Sequence, residues 1–95
     1  MQPQTIQDIQ NYFNEHDLFN KYGLTKIGVF GSFARGDKFN DIDLLIEEVI
    51  ERKKMRLLKN NLIADWNIEV DIVPQEFADP IILYNAKKDI KYATK

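Results

Sequence analysis

The sequence predicts a small mixed α/β (α+β) domain, with a sheet of three to four strands and helices packed mainly on one face. Three observations lead there. Short apolar or β-branched runs recur between segments whose apolar residues repeat every three or four positions. Glycine and proline (Gly23, Gly31, Gly36, Pro74) fall where these segments meet. The succession of strand, turn, strand, helix and strand makes a sheet that its own helical connection must cover.

Taken in order, Pro3 followed by Thr5 marks a helix start. Ile6, Ile9, Tyr12 and Phe13 then form one apolar stripe. Gly23 ends that region. Lys26 to Phe30 is short, partly β-branched and bounded by glycine, and is expected to be a strand. Gly31 to Gly36 is a turn or a single helical turn, and Asp41 to Ile46 is a second strand. From about Val49 to Trp66, Met55, Leu58, Leu62 and Trp66 share one helical face. Ile68 to Val73 alternates as a third strand, which Pro74 stops. A short helix over Pro80 to Ala86 and an edge strand over Ile90 to Ala93 complete the chain.

Ninety-five residues make one domain, residues 1–95, near the lower size limit for independent folding. A domain this small leaves apolar surface uncovered, so a partner, and with it a hetero-oligomer, is expected. Without cysteine there are no disulfides, thiolate zinc sites or cysteine nucleophiles. The single histidine, His16, leaves little material for histidine metal sites or a Ser-His-Asp triad. A net charge of −2 argues against direct nucleic-acid binding. No signal-peptide pattern is visible at the N-terminus, and no apolar run approaches the roughly 20 residues of a membrane span. A soluble, cytoplasmic domain is expected.

Three features carry chemistry when taken together. Directly after the first strand comes Gly31-Ser32-Phe33-Ala34-Arg35-Gly36. Glycine lets the backbone bend tightly and a phosphate approach its N–H groups. A helical turn beginning at Ser32 would offer unpaired N–H groups and a hydroxyl to an anion. Arg35 would add charge there or simply pin the turn. This is not a P-loop, because Lys38 follows Gly36 by two positions and Phe39 stands where Ser or Thr belongs.

The second feature is Asp41-Ile42-Asp43. Strand alternation points both carboxylates to one side, roughly 6.5–7 Å apart along the chain. Two carboxylates so placed can share cations roughly 3.5–4 Å apart. The third is Asp71, on a strand otherwise apolar at Val70, Ile72 and Val73. A carboxylate in such a strand needs something to satisfy it. If its strand neighbours that of Asp41, three like charges converge, and a hard divalent cation, Mg²⁺ or Mn²⁺, relieves them. Each feature alone has an ordinary explanation: a loop, a solvated strand edge, a structural carboxylate. Their order and spacing favour the chemical one.

At these residues the sequence resembles the DNA polymerase β-like nucleotidyltransferase superfamily, in particular its minimal single-domain members. The resemblance runs from about Ile27 to Val73, through the Gly-Ser turn, the Asp-x-Asp strand and the later Asp71. Asn40 departs from it, standing where serine is common. The resemblance implies transfer of a nucleoside monophosphate, AMP from ATP, with pyrophosphate released. By carry-over, Gly31, Ser32, Arg35 and Gly36 bind the nucleotide, with Ser32 on the β- and γ-phosphates. Asp41 and Asp43 bridge two Mg²⁺ ions, and Asp71 binds the metal beside the attacking hydroxyl. Lys38 either touches the triphosphate or is a plain loop lysine. The minimal members also resemble antitoxins whose partner is a HEPN-type ribonuclease toxin, the acceptor being a toxin hydroxyl, typically of tyrosine. The alternative is a non-catalytic antitoxin that occludes its partner.

Arg52, Lys53, Lys54, Arg56 and Lys59 are expected to be a solvated helix face, paired with Glu47, Glu48 and Glu51. Trp66 is expected in the core and His16 at the surface near a helix end. Tyr84, Tyr92 and Lys95 would form a partner-facing edge, though the sequence does not decide it.

Overall fold

In the computed structural model, which describes residues 2–95, the N-terminal helical region is two helices rather than one. α1 (Ile6–Glu15) opens on a capping box. The Thr5 side chain accepts from the Asp8 N–H while the Asp8 carboxylate accepts from the Thr5 N–H. Asp17 then turns left-handed (φ 52°), a conformation its short polar side chain tolerates, and α2 (Leu18–Tyr22) starts in a new direction. Gly23 (φ 69°) ends α2.

β1 (Lys26–Phe30), the helical turn α3 (Gly31–Arg35) and β2 (Asp41–Ile46) occupy the positions expected from the sequence. α4 spans Arg52–Trp66, starting later than expected. The reason is tertiary. The Glu48 carboxylate accepts from the Thr25 N–H, the Thr25 hydroxyl and the Lys26 N–H, and Glu47 pairs with Lys26 and Lys87. These contacts tie the segment after β2 back to the start of β1, so helix begins only beyond Glu51. They also overturn the expected pairing of Glu47 and Glu48 with the basic residues of α4.

β3 spans Glu69–Pro74, with Pro74 included opposite Ile46 rather than stopping the strand. An edge strand tolerates proline because one side needs no N–H donor. A short 3-10 turn (Gln75–Phe77) leads to α5 (Pro80–Asp89), which Asp79 caps and which outruns its expected end at Ala86. β4 (Lys91–Thr94) closes the chain.

The sheet order is β3-β2-β1-β4. β1 runs antiparallel to β2 and β4, whereas β2 and β3 are parallel because α4 returns the chain between them. Alternation sends Ile27, Val29, Ile42, Leu44, Ile46 and Val70 to one face. There they pack on Ile9 and Phe13 of α1, Phe19 and Tyr22 of α2, and Leu58, Leu62 and Trp66 of α4. Trp66 is 1% exposed. Burying each such side chain contributes roughly 1.5–3 kcal/mol. The opposite face is sparsely covered. There α5 and the residue after it lie over β1, with Ile90 filling the space that Gly28 leaves beside Leu45.

Candidate active site

Asp41, Asp43 and Asp71 all lie on the sparsely covered face. Asp43 and Asp71 are directly opposite in the parallel β2–β3 ladder, and Asp41 is two residues before Asp43 on the same face. One carboxylate oxygen from each lies within 4.8 Å of the other two. Asp41 and Asp43 are half-buried, and Asp71 is exposed. The burial cost anticipated for Asp71 therefore falls on Asp43. Burial, then the charges of Asp41 and Asp71, push the Asp43 carboxyl up to about 6. Three hard oxygen donors, with one disfavouring its own charge, make a donor set suited to a divalent cation.

Phe30 pairs with Asp43 across the antiparallel β1–β2 ladder, so the chain leaves β1 beside that carboxylate. Gly31 follows at φ 76°, and a Cβ built there would stand 2.5 Å from Asp43 Oδ2. Only glycine allows both the left-handed turn and this approach. α3 starts at this point, so its unpaired N–H groups open beside the acidic cluster. Ser32 lies in that first turn. Gly36 (φ 79°) ends α3, its N–H donating to Phe33 O, while Asp37 N–H donates to Ser32 O.

The structure thus brings Gly31 and the first turn of α3 against the three aspartates. Arg35 is held elsewhere: its guanidinium donates to Asp37 at 2.9 Å and to Asp89 at 3.2 Å, which ties α3 to the end of α5. Both carboxylates hold it in its charged form. Lys38 lies exposed in the loop before β2 and lines a shallow concavity with Gln4, Gly36 and Phe39. His16 caps α1 and packs at a tilt against Tyr12, with ring centroids 4.3 Å apart. Tyr92 sits against Lys26 and bonds Glu47, and the Lys95 N–H donates to Thr25 O. Asp89 had no local signal in the sequence, because its tie to Arg35 spans 54 positions.

A family model described as "Nucleotidyltransferase domain" matches residues 11–95. The protein adenylyltransferase MntA of Thermococcus cleftensis is 29% identical over 94 residues, covering 93% of this chain and 95% of its own. Among solved structures, a minimal nucleotidyltransferase superposes with a TM-score of 0.68 at 22% identity, covering 96% of this chain and 95% of that one. A Shewanella oneidensis complex of a tri-AMPylated HEPN toxin with its MNT antitoxin matches with a TM-score of 0.60 at 20% identity, covering 88% of this chain and 67% of the matched chain. Among the described residues no helix is long and apolar enough to cross a membrane.

Proposed function

The chain belongs to the nucleotidyltransferase domain family, and we propose that it transfers AMP from ATP to a hydroxyl of a partner protein of the HEPN-toxin type, acting as its antitoxin. The observation that carries this reading is the convergence of Asp41, Asp43 and Asp71 beside the turn that starts at Gly31. The names of the relatives, protein adenylyltransferase and MNT antitoxin, supply the nucleotide and the class of acceptor.

In this reading the first turn of α3 and the Ser32 hydroxyl orient the β- and γ-phosphates, with Gly31 and Gly36 letting the backbone come close. Lys38 is a further candidate for the triphosphate. Arg35 acts indirectly, by fixing α3 against α5. Asp41 and Asp43 would hold two Mg²⁺ or Mn²⁺ ions, and Asp71 would share the one nearest the acceptor. When bound, the ions would neutralise phosphate charge and make the attacking hydroxyl more acidic. The hydroxyl oxygen attacks the α-phosphorus of ATP as its proton passes to water. The bond from that phosphorus to the oxygen bridging to the β-phosphate breaks, and pyrophosphate leaves with the electron pair. Positioning and charge neutralisation are the protein's share of such chemistry.

The test is transfer of label from ATP radiolabelled at the α-phosphate, using the purified chain, Mg²⁺ and the protein that co-purifies with it. Label on that protein, absent with Asp43→Asn, is the expected result. ATP binding without label on any protein would leave the occluding antitoxin as the better account.

A further inference from the structure

α4 carries Arg52, Arg56 and Lys59 along one row, at helical spacings of four and three. Two of the three glutamates that precede this helix are turned away, Glu47 to Lys26 and Lys87 and Glu48 to Thr25 and Lys26. The ion pairs among the described residues involve none of these three cations. With Met55 and Ile72 they line a concavity of about 260 Å³. It opens beside β3, the end strand of the sheet, whose one hydrogen-bonded neighbour among the described residues is β2. The far edge of β3 therefore offers backbone N–H and C=O groups to an added strand. An unneutralised cationic row and an unpaired strand edge thus lie side by side, and the edge belongs to the strand that carries Asp71.

We infer that this edge seats an extended, acidic segment of the acceptor protein, added to β3 as a further strand. The inference rests on the proposed transfer to a protein. Strand alternation gives the segment a pattern. Residues on the α4 side meet Arg52, Arg56 and Lys59, which calls for Glu or Asp there, with Met55 and Ile72 accepting an aliphatic group. Residues on the other side lie over the face that holds Asp71, where the hydroxyl to be modified belongs. The recognised element is accordingly a hydroxyl residue flanked on both sides by acidic ones. Main-chain pairing supplies affinity, and the alternate side chains supply specificity.

The probe is a fluorescein-labelled peptide with a central tyrosine, glutamate on each side of it, isoleucine three positions after it on the glutamate face and threonine elsewhere, titrated without nucleotide and followed by anisotropy. It should bind, weaken with salt, and slow amide exchange within β3. The triple variant Arg52→Gln, Arg56→Gln, Lys59→Gln should bind it about tenfold or more weakly, as expected when three exposed ion pairs are lost together. The same variant should keep the circular dichroism of the parent, and the control variant Lys53→Gln, Lys54→Gln, which removes exposed cations off this row, should bind the peptide normally. Absence of binding, equal binding by the triple variant, or tighter binding of single-stranded oligouridylate than of the peptide would overturn the inference. Nucleotide is absent throughout, so these outcomes stand apart from success or failure of the label-transfer test.

Discussion

The two faces of the sheet are made by the same strands and do opposite work. On β2, Ile42, Leu44 and Ile46 are fully buried under α1, α2 and α4, while Asp41 and Asp43, on the alternate positions, stand at the sparsely covered face. The buried face stores the free energy of folding. The open face holds a charge cluster that costs some of it, as the displaced pKa of Asp43 reports. A period of two residues is enough to keep the two roles from interfering. Substitutions on one face should accordingly leave the property of the other untouched.

The sharpest way to break the comparison is on the open face. Asp43→Asn should lower transfer of label by about 10³-fold or more, since it removes a proposed cation ligand at the reacting centre. It should leave the unfolding midpoint unchanged or higher, because burial and like-charge repulsion are both relieved. A large loss of stability would show that Asp43 is structural instead. The converse experiment is on the buried face. Trp66→Ala or Leu44→Ala should cost about 3–5 kcal/mol in urea unfolding, a large share of the roughly 5–15 kcal/mol that holds a domain together. Residual folded Leu44→Ala protein should still bind Mg²⁺ with the parent affinity.

Gly31→Ala lies where the faces meet. Its positive φ and the approach of Asp43 Oδ2 predict a loss of about 1–2 kcal/mol, together with weakened Mg²⁺ binding in calorimetry. Titration gives a smaller effect. Asp43 ionises near 6 in the fold against an ordinary value of 3.8, so the folded chain holds its proton more tightly than the unfolded one. Metal-free stability is therefore greatest below pH 4 as far as this group is concerned, and falls as the pH rises through 6. The fall amounts to about 1–2 kcal/mol after allowance for solvent screening. Thermal midpoints measured in chelator should show that slope, and Asp43→Asn should flatten it. Arg35→Gln, which frees Asp89 and Asp37 at the surface, should barely shift the midpoint, while raising amide exchange at the end of α5.

Much of this architecture is legible locally. The ends of β1 and β2 follow from alternation and from flanking glycine and polar residues, and the face of α4 follows from the spacing of Leu58, Leu62 and Trp66. The Gly31 turn and the Asp41–Asp43 pair are visible as motifs, because their geometry is set within a few residues. The errors have two causes. The break at Asp17 is a local left-handed turn that the apolar spacing does not reveal, whereas the late start of α4 and the ties of Glu47 and Glu48 to β1 depend on groups distant in sequence, whose pairing overrides local propensity. The same holds for Arg35, whose partner Asp89 lies at the far end of the chain.

Local sequence is enough to show which residues alternate, which stripe of each helix is apolar, and that three aspartates and a glycine turn stand ready on or beside strands. It could do so because those properties have periods of two and 3.6 residues and need no distant partner. It takes the folded chain to show that β3 lies beside β2 in a register placing Asp71 opposite Asp43, that Asp43 bears the cost of the cluster, and that the cations of α4 border an open strand edge. Those facts arise from packing α4 over the sheet. Burial and charge are sums over neighbours, and the neighbours are set by the fold.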